Sequence, residues 1–275
     1  MTDRRLTPAN GRVAARELMG RVTADAFVTP EPASVTVPVT DLWATPDRAA
    51  RDRQLLLGDP VDVFERRDGM AFLRAGKDGY VGYVAEADLG PRIEATHMVG
   101  VPATHLYPAP DFKRVALHHL GFGARVRVVA GTDRFFEVEG GLHVPRPHLA
   151  PVNRAFTDPA AVAQLFFGVP YLWGGNSILG IDCSGLVQAA CLACHIPCPG
   201  DSDLQKAVLG RTLTDEPPQR GDLYFWKGHV AMAVDERVLI HANAHHMAVT
   251  YEPIEDAIAR IEGQGDGPVT ARRRI

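Results

Sequence analysis

Apolar and polar residues alternate in short runs through much of the first half of the chain. Residues 61–64 (VDVF) and 126–129 (VRVV) are examples, and Gly, Asp and Pro separate the runs. A period of two residues is typical of strands that bury one face. Several such short strands in a small segment predict a compact barrel.

The alternating region contains a tandem repeat. Residues 37–46 (VPVTDLWATP) match residues 101–110 (VPATHLYPAP), and residues 57–63 (LGDPVDV) parallel residues 122–128 (FGARVRV). Similarity of this kind at a fixed spacing indicates two copies of one structural unit.

We therefore predict two small barrels, at residues 35–92 and 97–152, after a helical segment and linker at residues 1–34. Both barrels resemble the bacterial SH3-like domains that often precede cell-wall hydrolases. Within the leading segment, apolar residues at helical spacing predict an amphipathic helix over residues 10–22. Residues 29–32 (TPEP) are interpreted as the linker into the first barrel.

The pattern changes after Pro151, where longer apolar segments begin. Helices are predicted at residues 158–167, 183–195 and 253–262, and strands at residues 222–226, 229–235, 237–243 and 247–252. We predict an α+β domain over residues 153–275. The chain as a whole is then multidomain, with two all-β barrels followed by an α+β domain.

Composition limits the classes of partner. The formal net charge is −4 and no long basic run is present, which argues against nucleic acid as a partner. We interpret residues 272–274 (RRR) as a solvated tail. No run approaches the ~18 apolar residues of a membrane span, and no apolar leader follows the first arginines, so a cytoplasmic protein is expected. All four cysteines lie between Cys183 and Cys198, which does not suggest a disulfide framework.

Cys183 is the strongest candidate for chemistry. It stands in the segment Asp-Cys-Ser-Gly, directly before an apolar run that ends at Cys194 and predicts a buried helix. A thiol at a helix N-terminus experiences partial positive charge, which favours the nucleophilic thiolate. Cys191, Cys194 and Cys198 are interpreted as buried structural thiols.

Two histidines on a predicted hairpin could complete a catalytic group. His229 opens one strand, and the returning strand carries His241. With a three-residue loop at residues 234–236 the two would lie opposite each other, with Cβ atoms ~4.5–5.5 Å apart. His229 would then accept the proton of Cys183, and His241 would orient His229.

The order Tyr-x-Trp-Gly-Gly, Asp-Cys-Ser-Gly, Gly-His and His resembles the NlpC-type family of papain-like cell-wall cysteine peptidases over residues 155–260. The resemblance implies that Cys183 is the nucleophile, His229 the base and His241 the third member. It also implies that Tyr171 helps to form the oxyanion hole, for which the N–H of Cys183 is a second donor.

The resemblance also suggests a substrate-binding set. Asp201 and Ser202, followed by Gln205, match a stretch that lines the substrate pocket in family members with two preceding barrels. In those members an acidic residue and a tyrosine of the first barrel close the cleft, and the matching positions here are Asp59 and Tyr80. Such a closed end would bind a free α-ammonium group.

The similarity is closest to γ-D-glutamyl-L-diamino-acid endopeptidases of the dipeptidyl-peptidase VI type. It implies cleavage of L-Ala-γ-D-Glu-meso-diaminopimelate, or its L-Lys analogue, after D-Glu, in the recycling of cell-wall peptides. Asp182 and Ser184, which flank the nucleophile, are included among the predicted substrate contacts. The expected partner is a murein peptide, with no nucleic acid or membrane, and no cofactor is implied because thiolate chemistry needs none.

Several alternatives remain open at this point. The order Cys191, Cys194, His195 has the spacing of a haem attachment site, but such attachment needs an exported protein and this run lies in a predicted buried helix, so haem is rejected. With Cys198 the same residues could bind zinc. The chain could instead be a non-catalytic wall-binding module, or a hydrolase that acts on intact peptidoglycan. An amidase or acyltransferase could use the same scaffold, since an amine can resolve an acyl-enzyme as water does.

Overall fold

A computed structural model describes residues 3–275 and divides into two compact units, one ending at Asn153 and one running from Arg154 to Ile275. No helix of the described part of the chain is both long enough and apolar enough to cross a membrane.

The first unit is built from strands and short 3₁₀ turns. Its strands are β1 Val13–Ala15, β2 Ala26–Val28, β3 Glu31–Val35, β4 Val39–Trp43, β5 Arg51–Leu56, β6 Pro60–Arg67, β7 Met70–Ala75, β8 Val81–Ala85, β9 Leu89–Pro91, β10 His97–Val99, β11 Ala103–Leu106, β12 His118–Gly121, β13 Arg125–Val126, β14 Val128–Gly131, β15 Phe135–Val138, β16 Leu142–Pro145 and β17 Leu149–Pro151. Short 3₁₀ helices lie at Arg4–Leu6, Arg16–Leu18, Glu86–Asp88 and Arg146–His148.

The first repeat forms one seven-stranded sheet in the order β5-β4-β8-β7-β6-β3-β9. The apolar members of the alternating runs point inward, so that side chains such as Leu42, Leu55 and Leu73 are fully buried. Burial of this inner face stabilises the sheet, at ~25 cal/mol for each Å² of apolar surface removed from water.

The second repeat uses smaller sheets, in the orders β13-β10-β17, β11-β12 and β14-β15-β16. It nevertheless repeats backbone contacts of the first. The N–H of Gly58 donates to the carbonyl of Val35 at 2.8 Å, and the N–H of Gly123 donates to that of Val99 at 3.0 Å. The internal repeat in the sequence therefore corresponds to a repeat in backbone structure.

The prediction of a helix over residues 10–22 is wrong. The middle of this segment is β1, which pairs in parallel with β2. The side-chain oxygen of Asn10 accepts the N–H groups of Arg12 and Val13, at 3.1 and 2.9 Å, and so holds a turn instead of a helix. The linker prediction at residues 29–32 is also wrong at its end, because β3 already pairs with β6 and β9.

The second unit is α+β. Its elements are α1 Pro159–Gln164, β18 Asn176–Ser177, β19 Gly180–Ile181, α2 Cys183–Ala193, α3 Ser202–Val208, β20 Arg211–Leu213, β21 Leu223–Trp226, β22 His229–Ala233, β23 Val238–Asn243, β24 Ala248–Pro253, α4 Ile254–Gly263 and β25 Ala271–Arg274. The main sheet has the order β20-β25-β21-β22-β23-β24, and α2 packs against β22 and β23. The predicted helices and hairpin are present, but the structure adds elements that were not predicted, namely α3, β18, β19, β20 and β25.

The interpretation of residues 272–274 as a solvated tail is wrong. These arginines belong to β25, which inserts between β20 and β21. Arg274 donates twice to the carboxylate of Asp222, at 2.7 and 2.8 Å, and Asp222 is fully buried. A buried carboxylate is costly without a partner, so the C-terminal strand supplies the cation that Asp222 requires.

Candidate active site

Cys183 is the first residue of α2, and Asp182 is the residue that caps this helix. One carboxylate oxygen of Asp182 accepts the N–H of Gly185 at 2.6 Å, and the other accepts the N–H of Gly174 at 3.0 Å. The cap satisfies a free N–H of the first turn and ties the preceding loop to the helix. Cys183 is 7% exposed in this first turn, where the helix dipole favours a thiolate.

The predicted substrate contacts beside Cys183 have partners within the protein. The hydroxyl of Ser184 donates to Asp182 at 2.9 Å, and both residues are buried. Asp182 and Ser184 therefore hold the loop and the start of α2 in place around the nucleophile. A direct contact of either with substrate stays a prediction that the geometry does not favour.

His229 and His241 lie together, as predicted, but not directly opposite each other. His229 Nε2 is 2.9 Å from His241 Nδ1. Met232 pairs with Ile240, a register that aligns His241 with Ala231, so the two histidines are diagonal neighbours on one face of the hairpin.

The loop of this hairpin accounts for the difference in register. The carboxylate of Asp235 accepts the N–H groups of Arg237 and Val238 at 2.7 and 2.8 Å, and Val234 pairs with Val238. The loop therefore occupies residues 235–237, one position later than predicted. An aspartate that bonds the backbone two or three residues on is a common way to fix such a turn.

A carboxylate and a guanidinium extend the histidine pair, and the sequence reasoning missed both. His241 Nε2 is 3.0 Å from Glu252 Oε2. Arg260 donates to both oxygens of Glu252 at 2.7 Å. His241 is completely buried and Glu252 is 8% exposed. A glutamate on a predicted strand next to His241 was the available signal, since Thr250 pairs with His241 and Glu252 lies on the same face.

Burial lowers the pKa of His229 below the usual imidazole value, and the neighbouring His241 and Arg260 act in the same direction. Burial also lowers the pKa of His241, against the opposing hydrogen bond to Glu252. Burial tends to raise the pKa of Glu252, but the hydrogen bonds from Arg260 and His241 outweigh it and the net pKa is lowered. Near neutral pH the group therefore consists of two neutral imidazoles with an ionised carboxylate behind them.

Tyr171 lies beside the predicted nucleophile. Its backbone forms a bridge with Ile181, two residues before Cys183. Burial raises the pKa of Tyr171, and a negative charge on Cys183 or Asp182 raises it further. The phenol thus keeps its proton and is available as a hydrogen-bond donor.

A cavity of about 200 Å³ opens beside His229. It is lined by Tyr171, Lys227, Gly228, His229, Asn243, Ala244, His245, Arg260, Ile261, Gln264 and Asp266. Asn243 is 5% exposed, and its Nδ2 donor has no hydrogen-bond partner among the described residues. A ligand acceptor in the cavity would satisfy such a donor.

Asp201 and Ser202 stand at the start of α3, and both are partly exposed. Gln205, from the same motif, is fully buried and donates to the carbonyls of Ser184 and Pro199 at 2.8 and 3.0 Å. Gln205 thereby fixes the start of α3 against the start of α2. The role of Asp201 and Ser202 in substrate binding stays a prediction.

The two first-barrel residues are enclosed within their own barrel, and their role in substrate binding stays a prediction. Asp59 is 4% exposed, its carboxylate lies 3.3 Å from Lys77 Nζ, and it accepts the N–H of Leu56 at 3.0 Å. Tyr80 is 2% exposed within the core of the first sheet. The ion pair with Lys77 does not favour Asp59 as the ligand of a substrate ammonium group, and that role stays untested.

The structure does not favour the metal alternatives. All four cysteines are free thiols, and no group of three or more metal-ligating side chains occurs within residues 3–275. Burial raises the pKa of Cys194 to about 11, which disfavours the thiolate that zinc requires.

Two family models match parts of the chain. Residues 168–260 match the NlpC/P60 family, and residues 42–89 match the bacterial dipeptidyl-peptidase Sh3 domain. The second repeat lies outside both matches, so its SH3-like character stays a prediction that rests on the internal repeat.

Curated relatives show the same similarity. Dipeptidyl-peptidase 6 of Lysinibacillus sphaericus is 37% identical over 92 residues, 33% of this chain and 34% of that protein. The chain thus spans about a third of this relative's length. Gamma-D-glutamyl-L-lysine dipeptidyl-peptidase of Bacillus cereus is 28% identical over 246 residues, 78% of this chain and 73% of that protein.

A solved structure supports the fold. An NlpC/P60 family protein from Bacillus cereus superimposes with a TM-score of 0.76 at 22% identity, covering 89% of this chain and 99% of that one. At this level of identity the likeness concerns the fold alone.

Proposed function

We propose that this chain, which carries an NlpC/P60 cysteine peptidase domain behind a bacterial SH3 domain, hydrolyses the γ-D-glutamyl–diamino acid bond of murein peptides that begin with a free L-Ala. The observation that carries the proposal is the placement of Cys183 at the start of α2 together with the 2.9 Å contact between His229 and His241. Two relatives named gamma-D-glutamyl-L-lysine dipeptidyl-peptidase support the bond.

The first half of the reaction forms an acyl-enzyme. Cys183 transfers its proton to His229, and the thiolate attacks the γ-carbonyl carbon of D-Glu. The oxyanion is stabilised by the N–H of Cys183 and the hydroxyl of Tyr171. His229 then protonates the leaving amine as the C–N bond breaks, and a thioester remains on Cys183.

The second half releases the dipeptide. His229 removes a proton from water as the water attacks the thioester, and the thiolate leaves with that proton returned to it. The products are L-Ala-D-Glu, with a free γ-carboxyl group, and the diamino acid with a free amine. We assign the cavity beside His229 to the leaving diamino acid, since His229 must reach the nitrogen of that group.

Recognition of the free amine is the finer part of the proposal. The resemblance offers Asp201 and Ser202 for this contact, and their partial exposure at the start of α3 supports it. Asp59 does not support it, because its carboxylate is paired with Lys77.

A requirement for a free amine would fit recycling of released wall peptides in the cytoplasm. Stem peptides still attached to the glycan have this amine acylated, and an enzyme that needs the free ammonium group leaves them intact.

The test compares L-Ala-γ-D-Glu-meso-diaminopimelate, its L-Lys analogue and the N-acetylated form of each. We expect L-Ala-D-Glu to be released only from the free-amine peptides. Cys183→Ala should lower kcat by at least about 10³-fold, because the residual rate then comes only from binding and the oxyanion hole. Cys194→Ala, which removes a half-buried thiol elsewhere in the unit, is the matched control and should keep wild-type activity.

Other results would change the assignment. Equal cleavage of acetylated and free peptides would retain the peptidase and exclude the recycling role. Absence of cleavage of all four peptides would reject the proposed bond and favour a transferase or another amide substrate.

A further inference from the structure

Behind the two histidines lies a buried ion pair that the cleavage mechanism does not use. The Glu252 carboxylate accepts two hydrogen bonds from Arg260 at 2.7 Å and faces His241 Nε2 at 3.0 Å. A bidentate guanidinium–carboxylate pair is geometrically specific as well as strong. The pair does not serve as a binding site on the surface, because the Glu252 carboxylate is almost fully enclosed.

The contacts of this pair determine where the imidazole hydrogens lie. An ionised carboxylate can only accept, so the hydrogen of His241 must be on Nε2, facing Glu252. His241 Nδ1 then carries a lone pair and accepts from His229 Nε2, 2.9 Å away. His229 is therefore left with a lone pair on Nδ1, the form in which it can accept a proton from a thiol.

Arg260 has a separate effect from that of Glu252. A buried carboxylate alone would attract a second proton to His241, and an imidazolium donates from both nitrogens. His229 Nε2 would then have to accept, and its hydrogen would move to Nδ1, where it blocks the base. The guanidinium neutralises the carboxylate, so that Glu252 orients His241 without charging it.

We propose that Glu252 and Arg260 are positioning residues that hold His241, and through it His229, in the single tautomer competent for proton transfer from Cys183. This inference rests on the proposed cysteine peptidase function. It extends the group Cys183, His229 and His241 by two residues that contact none of the reacting atoms.

The pH dependence of this unit involves a defined set of charged neighbours. His241 is influenced by Glu252, Arg260 and His246. Arg260 is influenced by Glu252 and Asp266, and Tyr171 by Cys183 and Asp182.

The experiment measures alkylation of Cys183 by iodoacetamide as a function of pH, with the modified peptide identified by mass so that the other three thiols are counted separately. It also measures kcat and KM on the free-amine peptide. The variants are Glu252→Gln, Arg260→Met and Arg260→Lys. The matched control is Glu262→Gln, which removes a charge at an exposed site of α4.

We expect Glu252→Gln to lower kcat and the alkylation rate by about 10- to 100-fold at every pH, with KM unchanged. An amide can present either its oxygen or its NH₂ to His241, so only part of the molecules keep the active tautomer. The expected loss is smaller than the ~10⁴-fold loss caused by an amide in a Ser–His–Asp triad, because here an additional imidazole separates the carboxylate from the base.

We expect a different signature for Arg260→Met. The unneutralised carboxylate should favour the imidazolium of His241, so the acid limb of the alkylation profile moves to higher pH. Arg260→Lys keeps the positive charge and should return the limb towards its wild-type position. Glu262→Gln should match the wild-type protein in every measurement.

Wild-type kcat and pH profiles in both Glu252→Gln and Arg260→Met would overturn the inference. So would a change confined to KM in Arg260→Met, since Arg260 also lines the cavity and would then act as a substrate contact. If Glu252→Gln fails to fold, the acid limb in Arg260→Met and its rescue by Arg260→Lys still decide the outcome. Because alkylation needs no substrate, it tests the inference even if the wild-type protein cleaves none of the peptides.

Discussion

The two repeats of the first unit share a backbone turn but bury different side chains in it. Asp59 of the first repeat corresponds to Ala124 of the second. The carboxylate of Asp59 lies against Lys77, whereas Ala124 belongs to an apolar cluster and is fully buried. The same turn therefore accepts either an ion pair or a methyl group, and the backbone conformation does not require the carboxylate.

A buried carboxylate must accordingly be interpreted from its partners. Asp59 and Glu252 are both enclosed and both paired with a cation. Glu252 also bonds an imidazole that contacts His229, while the contacts of Asp59 remain within its own barrel. The contacts of Glu252 can therefore influence the chemistry of His229, whereas those of Asp59 stabilise the fold of the first barrel.

The largest expected effect comes from making the first repeat like the second. Asp59→Ala should lower the free energy of unfolding of the first unit by about 3–5 kcal/mol, because it leaves Lys77 charged and buried without its partner. Hydrogen exchange of peptides from residues 34–151, followed by mass spectrometry, measures this loss. The double variant Asp59→Ala/Lys77→Met should recover much of it, since neither charge is then buried.

A matched control and a second measurement separate the structural role from the predicted one. Asp62→Ala breaks the partly exposed ion pair with Arg74 and should cost only about 0–1 kcal/mol. If Asp59 is structural, the preference for free over N-acetylated peptide should be unchanged in the folded variant. Loss of that preference at wild-type stability would return Asp59 to the substrate-binding role.

The sequence predicted those parts of the candidate site that depend on local signals. The apolar run that follows Cys183 predicted a buried helix with Cys183 at its start, and α2 begins at Cys183. The hairpin that carries His229 and His241 was predicted for the same reason, since two apolar runs separated by a turn are a local signal.

The rest of the site depends on contacts that no local pattern encodes. The bond from Asp235 to the backbone of its own turn moved the hairpin register away from the predicted one. Glu252 and Arg260 come together across the β24–α4 junction, and only the packed structure brings them to His241. In the first unit, the middle of the segment predicted as a helix over residues 10–22 instead pairs with β2. Pairing between the two strands outweighs the helical spacing of the apolar residues.

A smaller effect should distinguish the matched glycines of the two repeats. Gly58 and Gly123 both have positive φ, at 76° and 88°. A Cβ at Gly58 would overlap the backbone carbonyl of Arg125, while a Cβ at Gly123 would meet only the side chain of Leu56 at 3.4 Å.

Gly123→Ala should therefore cost about 1–2 kcal/mol for the left-handed conformation alone. Gly58→Ala should cost about 2–4 kcal/mol, since the overlap with Arg125 adds to the same strain. Both losses can be read from the same hydrogen-exchange peptides. Equal losses would show that the contact between the repeats adjusts easily and that the two turns are energetically alike.

The smallest effect concerns a hydroxyl that both repeats place at the same position. Thr40 Oγ1 donates to the carboxylate of Asp88 at 2.6 Å, and Thr104 Oγ1 lies 2.8 Å from Nδ1 of His148. A hydrogen bond to a charged acceptor contributes about 1.5–3 kcal/mol, against about 0.5–1.5 kcal/mol for a neutral pair. Thr40→Val should therefore destabilise the first unit more than Thr104→Val, measured by the same exchange experiment. A larger loss at Thr104 would mean that its complete burial, rather than the charge of the acceptor, determines the strength of the contact.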